Sequence, residues 1–226
     1  MIRLYGHYGS QPFRSVAWLL KINEQPFEFI KVDPTTGATK SKEYLSKFPL
    51  GLIPAVEDVE ENFRLSEGSA IMIYLCQKYG WETWYPSNSN TQTARIHEYM
   101  SHHNEGTRTI TRKVFRPVLE RAILRKGVLT DEDSFGFKEI MSKRGKIFQD
   151  AFLSRSKFIA GESPTIADLL AYTEIAQVNQ AMGFSYVGLP RLQTWLNEMS
   201  HLPHHDDVHR TVFKMGGIIS GQISKL

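Results

Sequence analysis

One cysteine in 226 residues, Cys76, leaves no partner for an internal disulfide and no thiol set for a multi-cysteine metal site, which fits a reducing compartment. No apolar run reaches the ~20 residues that a membrane span needs. The opening Met1-Ile2-Arg3-Leu4-Tyr5 also lacks the apolar core of a signal peptide, so a cytoplasmic protein with no membrane partner is expected. Charge of one sign is scarce as well. The 27 basic and 24 acidic residues are interleaved, giving a net +3 and no basic run long enough to follow a phosphate backbone, so nucleic acid is not an expected partner. The densest basic stretch, Arg108 to Arg125, alternates with apolar residues at helical spacing and reads as the solvated face of a helix. What remains is ordinary folded-chain composition, 41% hydrophobic and 23% charged, in a length suited to one large domain or two small ones.

The residues present fall into two halves. Over the first eighty, short β-type runs at Ile2 to Tyr5, Phe27 to Val32, Ala55 to Asp58 and Phe63 to Leu65 alternate with helical patterns. One helix starts near Gln11, where Ser10-Gln11-Pro12 sets a capping hydroxyl before a first-turn proline; a shorter one covers Ser41 to Lys47, and a third follows Ser66-Glu67-Gly68-Ser69 as far as Tyr79. The order is βαβ, a loop, a β-hairpin and a helix. The Trp-, Pro- and Asn-containing stretch 81–92 reads as a linker between a domain at 1–80 and a second at 93–226. Beyond it, Thr93 to Leu124, Phe137 to Ser154, Thr165 to Met182, Arg191 to Ser200 and His205 to Lys214 read as helices, broken at Gly127, Gly161 to Pro164, Gly188 to Pro190 and Pro203. With no internal repeat and no long low-complexity tract, an irregular all-α bundle is expected there.

Three places in the first half suit an anionic, peptide-like ligand. Ser10 stands at a helix N-terminus, where the dipole and unpaired N–H groups favour a thiolate or carboxylate; the plainer reading is that it only caps its own helix, although a hydroxyl can accept from a helix N–H and still donate to a ligand sulfur. Pro54 opens a strand after a Gly51 turn. If its peptide bond is cis, Ile53 presents its backbone to a cleft as a ladder for a bound peptide, and an ordinary trans bond is the other option. Glu67-Gly68 heads another helix, with N–H donors for a small carboxylate, unless Glu67 merely complements the dipole.

Read in order, Ser-Gln-Pro-x-Arg, x-Pro-Leu-Gly-x-x-Pro-Ala and Leu-x-Glu-x-x-Ala-Ile-x-x-Tyr-Leu resemble the motifs of a glutathione transferase over nearly the whole chain. Trp84-Tyr85-Pro86, Ala94-Arg95-Ile96-His97, Leu202-Pro203-His204 and Asp207-Val208-His209 resemble theta-class members in particular. The resemblance implies an α/β thioredoxin-like N-terminal domain and an all-α C-terminal helical bundle. It implies glutathione as cosubstrate, no metal, and a homodimer.

Position by position, the resemblance makes Ser10 the hydroxyl that activates glutathione, with Gln11 lining the site beside it. Ile53, with Pro54 in cis, pairs its backbone with the cysteinyl part of the tripeptide. Glu67 contacts the γ-glutamyl end. Gly68 departs from the family's usual serine, leaving its N–H, and Ser69 compensates only if the turn shifts. Thr39 stands where a histidine often meets the glycyl carboxylate, with Lys40 beside it as the cation. Glu105 matches a position from which an adjacent subunit reaches the γ-glutamyl amine, or is a solvent-facing carboxylate. Arg108 matches an arginine at the mouth of the electrophile pocket, and Tyr8 and Phe115 line that pocket or belong to the core. The implied chemistry is attack of a glutathione thiolate on halides or epoxides, or reduction of organic hydroperoxides.

Rival readings are weighed on residues. Thiol-disulfide exchange needs a cysteine at the head of the first helix, and Cys76 lies in another helix. A non-catalytic ligand- or protein-binding module on the same scaffold stays open because of Gly68 and Thr39. His201, His204, His205 and His209 contain i, i+4 pairs, but Pro203 interrupts them, and a metal site is not expected. Thr165 and Asp168 read as a capping box, which is folding chemistry.

Overall fold

The computed structural model describes residues 1–122 and 130–220. The expected break at Gly127, and Leu124 and Arg125 of the basic stretch, lie outside the described residues.

The strand β1 (Ile2–Gly6), helix α1 (Gln11–Ile22) and strand β2 (Phe27–Lys31) form the parallel unit read from the sequence. After α2 (Lys42–Lys47), β3 (Ala55–Asp58) and β4 (Phe63–Ser66) make the hairpin, and α3 (Gly68–Tyr79) closes the layer. The sheet order is β2-β1-β3-β4, with β1 parallel to β2 and antiparallel to β3. Successive strand side chains face opposite ways, so Ile2 and Leu4 enter the main core with α1 and α3, while Tyr5 enters a smaller cluster with Val32, Tyr44 and Phe48.

The second half is helical: α4 (Asn90–His103), α5 (Arg116–Ala122), α6 (Asp131–Phe152), α7 (Ile166–Met182), α8 (Pro190–Ser200) and α9 (His205–Ser220). α7 is buried almost all round, as an apolar helix at the centre of a bundle must be, and it also packs on α1 of the first half. The two layers are bonded through it: Arg14 Nη2 donates to the Thr173 carbonyl at 3.0 Å, and the Ser15 and Thr173 hydroxyls lie 2.8 Å apart.

Four boundaries differ from the sequence reading. The long helix from Thr93 is broken by a turn at 104–108 and by a π-helical turn at Thr111–Phe115, because Asn104 and Gly106 are weak helix formers at its midpoint. α4 starts at Asn90, inside the expected linker. That segment is docked: Trp84 and Tyr85 are buried, and the Trp84 carbonyl accepts from Ile166 N–H at 3.0 Å. α6 starts at Asp131, where Thr130 and Asp133 form a reciprocal capping box. α9 runs past Lys214 through Gly216-Gly217, since a Cβ on Gly216 would stand 2.8 Å from the Gln180 carbonyl oxygen and the bare backbone lets α7 and α9 touch. Among the described residues no helix is long and apolar enough to cross a membrane.

Candidate active site

Ile53, Pro54, Glu67, Gly68, Ser69, Glu105 and Arg108, drawn from three distant parts of the sequence, line one cleft of ≈ 570 Å³ between the two halves. The Ile53-Pro54 bond is cis, and Ile53 lies ahead of the ladder, which begins at Ala55. Glu67 heads α3 with φ 73°, a region a side chain of this kind seldom occupies; strain of that sort persists where surrounding structure imposes it and recurs at binding sites. Ser69 lines the cleft beside Gly68. Gly68 fits tightly, since a Cβ there would lie 3.0 Å from Pro12 Cβ. Of the two positions that kept a non-catalytic reading open, Gly68 lines the cleft and Thr39 does not.

Ser10 precedes α1 with extended backbone, and its hydroxyl makes no bond to a helix N–H, so the capping reading is not what the structure contains. It is half-buried and not among the residues lining the cleft, whereas Pro12, two positions on, is. The loop before it is held from both sides. Fully buried Arg14 donates to the Tyr8 carbonyl at 3.0 Å, and Gly9 packs so closely under α9 that a Cβ there would be 3.3 Å from Met215 Cε.

Other expected site residues fall elsewhere. Gln11 is buried, and its Nε2 donates to Gln177 Oε1 at 2.5 Å, so its amide is turned into the protein and away from the cleft. Phe115 is 2% exposed and belongs to the core. Tyr8 packs edge-on against Phe13 and Phe29, away from the cleft lining; aromatic rings at helix seams are drawn inward by the area they bury. Thr39 is buried, and Lys40 Nζ donates to the Gly51 carbonyl at 3.3 Å, two residues ahead of Ile53.

The cleft is rich in cations. Arg112 pairs with Glu105 at 3.1 Å, Arg116 with Glu120 at 2.9 Å, and Arg108 Nη1 donates at 2.7 Å to Glu174 Oε1, a carboxylate with no exposure. Burial pushes the Glu174 carboxyl up, opposed by Arg108, Thr111 and Arg14. His103, at the inner wall, is pushed down to about 3 by burial and by Arg108, so it is neutral. Sequence reading missed Arg14, Thr111, Arg112, Glu174 and Gln177. The available signal was Glu174 and Gln177 three apart in the middle of a largely apolar helix, where a polar side chain must find a buried partner.

His205 and His209 stack at 4.6 Å between centroids against Trp18 and Tyr172, and the Tyr172 hydroxyl bonds His205 Nε2 at 2.8 Å. They are core residues. Among the described residues no group of three histidines, cysteines or carboxylates is placed to hold a metal. Cys76 is buried in α3, and burial drives its thiol up to about 12. A second depression of ≈ 410 Å³, between the segment 153–157 and α8, shares no residue with the cleft.

Family models agree with this architecture. The glutathione S-transferase N-terminal domain matches residues 1–77, and the glutathione S-transferase C-terminal domain matches residues 140–203. The chain belongs to the glutathione S-transferase family. Its relatives place it beside the theta class: human glutathione S-transferase theta-2B is 37% identical over 190 residues, covering 82% of this chain and 75% of that one. The crystal structure of human glutathione transferase theta-2 in complex with glutathione and an unknown ligand superposes with a TM-score of 0.83 at 30% identity, over 98% of this chain and 91% of the other. A human theta-class enzyme in complex with the glutathione conjugate of 1-menaphthyl sulfate does so at 0.83 and 31%, over 97% and 90%.

Proposed function

We propose that the protein is a theta-like, serine-type glutathione transferase in which the Ser10 hydroxyl donates to the sulfur of bound glutathione and keeps it a thiolate. The observation that carries this is the cleft itself, which joins a cis-proline strand start, the head of α3 and an arginine cluster in a member of this family. Ile53 supplies backbone N–H and C=O to the cysteinyl residue. Glu67, the Gly68 N–H and Ser69 receive the γ-glutamyl end, Lys40 the glycyl carboxylate, and Arg108 the thiolate or a departing anion. A free thiol has a pKa near ~8.5, and lowering it by about two units requires about 2.7 kcal/mol of preference for the thiolate. An uncommitted hydroxyl and helix N–H groups are of the right kind to supply that.

The sulfur attacks an electrophilic carbon and either the carbon–halogen bond breaks and halide departs with the electron pair, or one epoxide C–O bond breaks and the oxygen, still held by the other carbon, keeps the pair and takes a proton from solvent; the thiol proton has already gone to solvent. Reduction of organic hydroperoxides at the same sulfur belongs to the same reading. We place the enzyme in the cytoplasm as a homodimer, the former supported by its buried lone thiol and the latter by family habit.

The test is Ser10→Ala. Conjugation of aralkyl halides at neutral pH is expected to fall by on the order of a hundredfold, with the bound thiol returning toward pKa ~8.5 and glutathione affinity, read by fluorescence titration, nearly unchanged. Full activity in that variant would move the role to Tyr8 or another donor.

A further inference from the structure

Glu174 and its neighbours on α7 hold the two ends of the proposed catalytic apparatus. Thr173 offers its carbonyl to Arg14, which also grips the Tyr8 carbonyl in the loop before Ser10. The next residue, Glu174, takes Arg108 Nη1 on Oε1 at 2.7 Å. Its Oε2 accepts from the Thr111 hydroxyl and, at 3.3 Å, from Gln177 Nε2. Gln177 Oε1 in turn accepts from Gln11, the residue after Ser10. One run of hydrogen bonds thus connects the first residue of α1 with the cation in the cleft.

Resting on the assignment of Arg108 to the thiolate or leaving anion, we propose that Glu174 is a positioning residue that fixes the Arg108 guanidinium at the cleft and partly masks its charge. The carboxylate has no exposure, whereas the Arg108 side chain is 26% exposed and faces both the cleft and the interior. A guanidinium has five N–H donors, so one bond to Glu174 leaves others for a ligand. The charged and titratable groups facing Glu174 are Arg108, Arg14 on α1, His103, whose Nε2 is 3.9 Å away and neutral, and the buried phenols of Tyr99 on α4 and Tyr186, both pushed up and so uncharged. Arg108 is the only cation among these that also lines the cleft. Removing the negative charge while keeping an acceptor therefore strengthens the field at the ligand sulfur.

The experiment compares Glu174→Gln, Glu174→Asp and Arg108→Ala, singly and with Glu174→Gln added to Arg108→Ala, reading the pKa of the bound thiol by thiolate absorbance alongside kcat and KM. Glu174→Gln is expected to lower the thiol pKa and the acid limb of the rate profile by about half to one unit, an opposite charge within reach being worth one unit or more. Glu174→Asp keeps the charge and shortens the reach by one methylene, so the limb stays put while KM for glutathione rises on the order of tenfold. On the Arg108→Ala background there is no guanidinium left to position or mask, so Glu174→Gln is expected to change nothing further.

A Glu174→Gln enzyme with a lower Tm but the wild-type limb would make the residue structural only. A shift that survives in the double variant would mean it does not act through Arg108, and either result overturns the inference. If Glu174→Gln does not fold, an unchanged KM in Glu174→Asp overturns it equally. An Arg108→Ala enzyme with unaltered kcat, KM and thiol pKa would instead sink the Arg108 assignment, leaving Ser10 to its own test.

Discussion

The Trp195 indole N–H lies 3.0 Å from Asp168 Oδ1, deep in the helical layer. The same carboxylate accepts from Ile159 N–H at 3.1 Å and from both the N–H and the hydroxyl of Thr165 at 2.9 Å. One side chain therefore starts α7, pins the loop before it and anchors α8. Asp168→Ala is expected to destabilise by about 3 kcal/mol or more, since each buried donor left without a partner costs roughly 1–3 kcal/mol. Trp195→Phe, which removes one donor and leaves the others satisfied, is expected to lose about half as much. Urea midpoints measure both, and equal losses would mean the indole bond is the main contribution.

Two glycines in helices should respond in opposite directions. Gly216→Ala forces a methyl against the Gln180 carbonyl and should destabilise by about 1–3 kcal/mol. Gly136→Ala, in α6, meets no described atom within 4 Å and should stabilise by roughly 0.5–1 kcal/mol through helix propensity. Thermal melts of the two variants decide it, and a stabilised Gly216→Ala would show that α7 and α9 can part at no loss.

Acid should unfold the protein in two stages. Burial pushes His103 down to about 3 and His205 and His209 below their ordinary value, so each is neutral in the folded chain. The unfolded chain takes up those protons from pH ~6.5 downward, and stability falls from there. Asp58 opens the second stage. Burial disfavours its charge, but Lys78 at 2.5 Å and the Tyr74 hydroxyl at 2.7 Å outweigh that and hold its pKa below the usual carboxylate range. Its contribution is complete above pH ~4 and is lost as pH drops through the folded value, because the unfolded carboxylate protonates first. Denaturant midpoints from pH 8 to pH 3 should flatten in the upper stage for His103→Phe and in the lower for Asp58→Asn. A His103 variant with the wild-type slope would assign the first stage elsewhere.

Lys40→Met should raise KM for glutathione about two- to tenfold with kcat almost unchanged, the worth of one charge-assisted bond at a partly exposed site. Glutathione amidated at its glycyl carboxylate should bind both enzymes alike. A variant that discriminates against the amide as the parent does would remove Lys40 from that contact.

The strands and most helices were legible because their patterns are local: alternation fixed β1 and β3, and Ser10-Gln11-Pro12 fixed the head of α1. The start of α6 was missed although its signal, Thr130-x-x-Asp133, is present in the sequence. The break after His103 was missed although Asn104 and Gly106 mark it locally, whereas the run of α9 through two glycines follows from packing against α7, which no window of sequence contains.

In the cleft, the lining positions Ile53 and Glu67 were readable because they depend on a turn and a helix end. Gln11, Tyr8 and Phe115 were drawn inward for want of any local sign of direction: Gln11 follows the cap in sequence, yet its partner is 166 residues away on α7. Long-range polar pairs such as Arg108 with Glu174 could be known to need partners, though not which ones.

An enzyme that hands electrophiles to a sulfur risks being alkylated by them. This chain carries a single sulfhydryl, at 2% exposure and hard to deprotonate. An electrophile arriving at the cleft therefore meets no protein thiolate that could compete with a bound thiol for it.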